Sequence, residues 1–286
     1  MDLNNFYSQL DTIFKNQDIH SAEKYIVEQM LVAQKDGDVA GILATANEIG
    51  GIYRVTSRFE DAKKSYEVAL GAISLLGLEN TEQHGTTVLN LATVYAANGK
   101  NKEALELYLK AEGIFNLKGL NNDYRMAALY NNISHVFEEE NDYINAEINS
   151  EKALKIIEKI PGADVELATT YTTIANIYIK QNKLLEAERY LYTSEKIFQG
   201  LNGKVDVHYG ATLNVFGELY FHMKDYIKSI DYFKKSLQLV IDNYGESNLS
   251  YVAVCKNIAS VYEVIGQFSE KTKYENMAKL AEERIK

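Results

Sequence analysis

Val88–Phe115, VLNLATVYAANGKNKEALELYLKAEGIF, carries the pattern that decides the fold. Leu91, Ala92 and Tyr95 fall on one helical face, Asn98-Gly99 interrupts it, and Ala104, Tyr108 and Ala111 share a face of a second helix. The alanines at 92, 104 and 111 let two antiparallel helices approach closely, and the tyrosines fill the space beside them. Such a hairpin cannot bury both faces of its helices alone. It therefore predicts copies of itself on either side.

The copies stand in register. The second-helix alanine recurs as Ala62, Ala104, Ala146, Ala187, Ser229 and Lys271, at spacings of 42, 42, 41, 42 and 42 by subtraction. Nine residues earlier comes the first-helix aromatic: Tyr53, Tyr95, Phe137, Tyr178, Tyr220 and Tyr262. A weaker copy opens the chain, with Ile13 and Ala22 in the two slots. This pattern resembles the tetratricopeptide repeat (TPR), whose usual period is about 34 residues. The surplus of about eight residues is roughly one more turn on each helix. The long-period form is similar to the repeats of kinesin light chain and its bacterial relatives. The resemblance implies an all-α fold without strands, a right-handed superhelical array (α-solenoid) of about seven TPR helix hairpins. The expected repeats are approximately 1–37, 38–79, 80–121, 122–162, 163–204, 205–246 and 247–286, forming a single TPR array over 1–286.

Composition narrows the class further. Only one proline, Pro161, and 46% hydrophobic residues argue against a linker-rich or disordered chain of this length, 286 residues. Nine of the 21 tyrosines, among them Tyr66, Tyr108, Tyr143 and Tyr226, occupy repeat slots and are expected in the core. The formal net charge is −10, from 30 basic and 40 acidic residues, and no run of Lys or Arg suggests a phosphate-binding face; nucleic acid is not an expected partner. No apolar run approaches the roughly 20 residues needed to span a bilayer, and MDLNNFYSQL lacks the pattern of a signal peptide. The single cysteine, Cys255, fits a cytoplasmic setting and is expected as a buried packing thiol. The richness in Lys, Asn, Ile and Tyr suggests a bacterial, AT-rich source.

Loop signals place the connections. Gln17-Asp18, Asp36-Gly37-Asp38, Pro161-Gly162, Gly200–His208 and Asp242–Asn248 read as breaks, with Asp123 and Asp164 as helix caps. Gly50-Gly51 replaces the small residue of the second repeat and predicts a close helix contact. The polar last helix, Ser269–Ile285, suits a solvated cap, or the point where a longer signalling protein continues.

In the family that the array resembles, first helices line the concave groove. The groove positions are then six and two before the aromatic, and one and two after it. Six before stand Asn47, Asn131, Thr172, Asn214 and Lys256. Two before stand His135, Asn176 and Glu218, and just after the aromatics come Arg54, Glu138, Glu139 and Lys180. An asparagine amide offers donor and acceptor together, matching the N–H and C=O of an extended peptide. The quorum-sensing peptide receptors of Gram-positive bacteria, built on similar repeats, use groove asparagines in this way. The competing reading is that these asparagines cross-link adjacent helices or are solvated. Asn90, Asn132 and Asn257, one position further on, are expected to face neighbouring helices and be structural. Asn131, His135 and Asn176 form the expected centre of the groove.

No catalytic constellation accompanies this pattern. There is no Gly-rich phosphate loop, nucleophile elbow or His-Glu-x-x-His run, and His135-x-x-Glu138 is half a metal site at most. No enzyme activity, cofactor or metal is expected. The function expected is a scaffold or adaptor that binds a protein or extended peptide segment in the groove. The alternative is a peptide-responsive regulator, or the sensor portion of a longer signalling protein. Repeats begin within the first residues and nothing resembles a helix-turn-helix reader, which favours the scaffold.

Overall fold

The structure, a computed structural model, describes residues 1–15, 19–201 and 207–285. Fourteen α-helices and no strand occupy the described residues. They pair as α1 (Leu3–Lys15) with α2 (Ile19–Asp36), α3 (Val39–Val55) with α4 (Phe59–Leu75), and α5 (Glu82–Ala97) with α6 (Asn101–Leu117); α7 (Tyr124–Glu139) and α8 (Tyr143–Ile157) come next in the chain. Then follow α9 (Asp164–Lys180) with α10 (Leu184–Gly200), α11 (Val207–His222) with α12 (Tyr226–Tyr244), and α13 (Leu249–Val264) with α14 (Phe268–Ile285). The chain divides into two compact units, Met1–Val136 and Phe137–Lys286. The expected break at Gln17-Asp18 and the connector residues 202–206 lie outside the described residues. Several expected boundaries move, and α10 and α11 take in Gly200 and Val207-His208 from the expected connector Gly200–His208. Helix α12 continues to Tyr244, so the loop after it starts at Gly245, and Ala163 rather than Asp164 is the N-cap of α9.

The repeated aromatic does more than fill space, because it also marks where each hairpin turns. Four residues after it the backbone is left-handed in every case: Ser57, Gly99, Asn141, Asn182, Lys224 and Gly266 have φ of 60°, 70°, 59°, 61°, 64° and 74°. The residue after that donates its N–H to the aromatic's own carbonyl, as in Arg58 to Tyr53 (2.7 Å), Lys100 to Tyr95 (2.9 Å) and Lys183 to Tyr178 (2.8 Å). This closes the first helix as a Schellman-type cap, satisfying an orphan carbonyl while reversing the chain. Where the next residue is aspartate it also caps the second helix. Asp142 accepts from the N–H of Asn145 (3.1 Å), and Asp225 from that of Lys228 (3.2 Å).

The small residues sit at the helix contacts. Ala62, Ala104, Ala146 and Ala187 are fully buried, and Ser229 in the same slot donates to the Gly217 carbonyl (2.7 Å). Glycine takes the closest approaches. A Cβ on Gly50 would stand 2.9 Å from Cζ of Tyr66, and one on Gly217 would stand 2.5 Å from Cδ1 of Phe233. Cys255 is buried, and burial pushes its thiol up to about 11, as befits an inert packing residue.

Candidate functional site

The first unit opens a cleft of about 490 Å³ on its first helices. Its walls are Asn47, Glu48, Gly51 and Arg54 of α3, Thr86, Thr87 and Asn90 of α5, and Arg125 of α7, with Tyr7 and Tyr66 at its sides. Asn47 is largely engaged within the protein. Its amide donates to the Leu43 carbonyl (3.2 Å), and its oxygen accepts from the Thr87 hydroxyl (3.0 Å). Arg125 is held by Asp123 (Nε to Oδ1, 2.6 Å) and by Glu82. Arg54 forms no ion pair, and Asn90 no hydrogen bond, among the described residues; both line the cleft. Burial, and then the charge of Asp11, raises the Glu48 carboxyl above its ordinary value. Burial pushes the Tyr66 phenol up to about 12, against the opposing pull of Arg54.

On α7, Asn131 is half-buried and His135 is exposed. The predicted residues of the second unit are mostly bound to one another. Asn176 donates to Glu138, Lys180 pairs with Glu218 (3.8 Å), and Lys256 pairs with Glu282 (2.7 Å). Asn214 donates to Glu218 (3.0 Å) and accepts from Asn257 (3.0 Å). A smaller cavity of about 110 Å³ lies beside Glu218, Phe221, His222 and Asn257.

Thr172 corrects the expected groove set. It is buried, with its hydroxyl donating to the Ala168 carbonyl (3.1 Å) and lying 2.9 Å from both the Ser194 and Thr212 hydroxyls. The position six before the aromatic lies on the seam with the next hairpin, where Leu89 is also buried and Asn47 and Asn214 form bridges. The position five before the aromatic divides. Asn132 bridges to Thr93 (3.3 Å) and Asn257 to Asn214, as expected of structural residues, but Asn90 faces the cleft and so corrects that expectation. Glu48, at the same register as Asn90, is the cleft residue that the sequence reading missed. Its only signal was a charge five residues before Tyr53, a register where Asn90, Asn132 and Asn257 also stand.

Comparisons with known proteins agree with this architecture. The tetratricopeptide-repeat family matches residues 125–200 and again 211–239. The chain therefore carries tetratricopeptide repeats, in an all-α arrangement of helix hairpins. The protein KINESIN LIGHT CHAIN-RELATED 3 of Arabidopsis thaliana is 22% identical over 257 residues, 90% of this chain. The chain spans only 40% of that relative's length. Among solved structures, the apo form of RapI superposes with a TM-score of 0.76 at 15% identity, covering 100% of this chain and 99% of that one. A Rap protein complexed with competence and sporulation factor gives the same TM-score, 0.76, at 14% identity over 98% of this chain and 74% of its own. At such identities the likeness is one of fold.

Proposed function

We propose that this protein is a non-catalytic scaffold or adaptor that grips an extended peptide segment of another protein on its first-helix face, with the cleft of the first unit as the principal site. The observation that carries the reading is an amide and a guanidinium, Asn90 and Arg54, that line one polar cleft, the first without a hydrogen bond and the second without an ion pair among the described residues. Asn90 matches a peptide N–H and C=O, and Arg54 matches a carbonyl or carboxylate. A net charge of −10 argues against nucleic acid as the partner, and a single buried cysteine suits the cytoplasm. No described helix is long and apolar enough to cross a membrane. A second reading, a peptide-responsive regulator, draws support from the fold shared with a Rap protein solved with competence and sporulation factor.

The test is selection of a random nonapeptide library on the immobilised full chain. Enriched peptides should lose most of their affinity for Asn90→Ala and Arg54→Ala. They should bind normally to Val68→Ala, which alters an exposed side chain of α4. Peptides that bind the cleft variants as well as the wild type, or a library that yields none, would overturn the reading.

A further inference from the structure

We infer that the cleft of the first unit selects a segment bearing one basic and one acidic side chain three residues apart, the basic one docking on Glu48 and the acidic one on Arg54. The inference rests on this cleft being the peptide-binding face. Four charged side chains line it: Glu48, Arg54, Glu82 and Arg125. Glu82 and Arg125 neutralise one another, and Asp123 holds the same guanidinium. That leaves one carboxylate and one guanidinium with no ion pair among the described residues, either with each other or with a neighbour.

Among the described residues no ion pair compensates Glu48. Tyr7 and Asp11 approach from α1 and Tyr66 from α4, which is two phenols and a like charge. A half-buried carboxylate in that company is poorly solvated, and a docked ammonium or guanidinium would relieve it. Arg54, half-buried in the last turn of α3, meets the Tyr66 hydroxyl and no carboxylate partner among the described residues. Its planar fork leaves room for bidentate pairing with a carboxylate.

The spacing of the two charges then selects the ligand's geometry. Six residues separate Glu48 from Arg54, a rise of about 9 Å along α3 with the side chains about 120° apart around it, and both reach the one cleft. A polyproline-like extended peptide rises about 3.1 Å per residue with three residues per turn, so side chains i and i+3 share one face about 9 Å apart. Opposite charges at that interval meet both partners at once. Two like charges meet one partner and repel at the other.

Four fluorescein-labelled nonapeptides on one Gly/Ser scaffold test this with the full chain, by anisotropy at low salt. They carry Lys-x-x-Glu, Glu-x-x-Lys, Lys-x-x-Lys and Glu-x-x-Glu. One of the two mixed orders should bind at least about tenfold more tightly than either like-charge peptide. The double variant Glu48→Lys, Arg54→Glu should transfer the preference to the opposite mixed order. Glu48→Gln, a milder change, should remove the discrimination while leaving the thermal melt in place. Equal binding of all four peptides, no binding by any, or an unchanged order preference in a folded double variant would overturn the inference. Library peptides that need Asn90 and Arg54 yet ignore Glu48 would sink this inference alone and leave the peptide-binding reading standing.

Discussion

In the second unit, Asn176 reaches Glu138, Lys180 reaches Glu218, Asn214 bridges Glu218 and Asn257, and Lys256 reaches Glu282. In the first unit, Arg54 and Asn90 line a cleft, Arg54 beside the Tyr66 hydroxyl, and among the described residues Arg54 forms no ion pair and Asn90 no hydrogen bond. The two units thus use similar residue types for partly different ends. Both tie successive first helices together, as at Asn47–Thr87 and Asn176–Glu138, but the first unit also leaves Arg54 and Asn90 lining a cleft. A groove position is available to a ligand only when the neighbouring hairpin lacks a complementary side chain. That depends on pairs of residues about 40 apart, as Asn214 and Asn257 illustrate, 43 positions from each other.

Four experiments probe this contrast. The largest effect is expected where both units use one device, a glycine beneath an aromatic ring. Gly217→Ala would set a Cβ 2.5 Å from Cδ1 and Cε1 and 2.7 Å from Cγ of Phe233, near the base of the ring. Gly50→Ala meets only the far end of Tyr66, at 2.9 Å from Cζ. Alanine gains about 1 kcal/mol in helix propensity, yet overpacking of about 1–3 kcal/mol should outweigh it at Gly217 and come close to balance at Gly50. Thermal melts decide the order. An unchanged or raised melting temperature for Gly217→Ala would show that the ring swings clear.

Thr172→Val comes next. It removes the centre of the buried hydroxyl cluster with Ser194 and Thr212, at an expected loss of about 1–2 kcal/mol measured by denaturant unfolding. Selected peptides should bind this variant normally, because the side chain lies away from the groove. Reduced affinity with intact stability would return Thr172 to the binding face.

Asn257→Ala and Asn90→Ala set the two units directly against each other. The first breaks the bridge to Asn214 and should cost about 0.5–1.5 kcal/mol of stability. The second should leave the melt within about 0.5 kcal/mol of wild type and act on binding alone. Equal destabilisation by both would erase the distinction between a bridging and an open asparagine.

The smallest effect is expected from mild acid. His84 in the first unit is buried, and burial lowers its basicity below the ordinary value; its Nδ1 accepts the Asn80 N–H (3.0 Å). With the folded-state pKa depressed, the unfolded chain binds the proton more readily. The stabilisation is complete above the unfolded value of about 6.5 and is lost as pH falls through the folded one. Amide protection factors near His84 should therefore fall between about pH 7 and pH 5, and His84→Gln should remove that dependence. Equal loss of protection in wild type and variant would assign the change to other groups.

Sequence alone determined the repeat. A small residue and an aromatic nine positions apart, returning every 41 or 42 residues, fix helix pairing because each is a local requirement: close approach, filled space and a turn four residues after the aromatic. The same logic foresaw the tight contact at Gly50, the structural roles of Asn132 and Asn257, and the burial of Cys255. Which polar side chains remain open was decided by tertiary structure. Register assigns a face, but Thr172 is buried by hydroxyls that α10 and α11 bring to it, and Arg125 is taken by Glu82 and Asp123 while Glu48 and Arg54 form no ion pair among the described residues. Periodicity records what each hairpin repeats, whereas a binding site is made where the hairpins differ. Those differences acquire meaning only once residues about 40 positions apart are brought within a few ångströms.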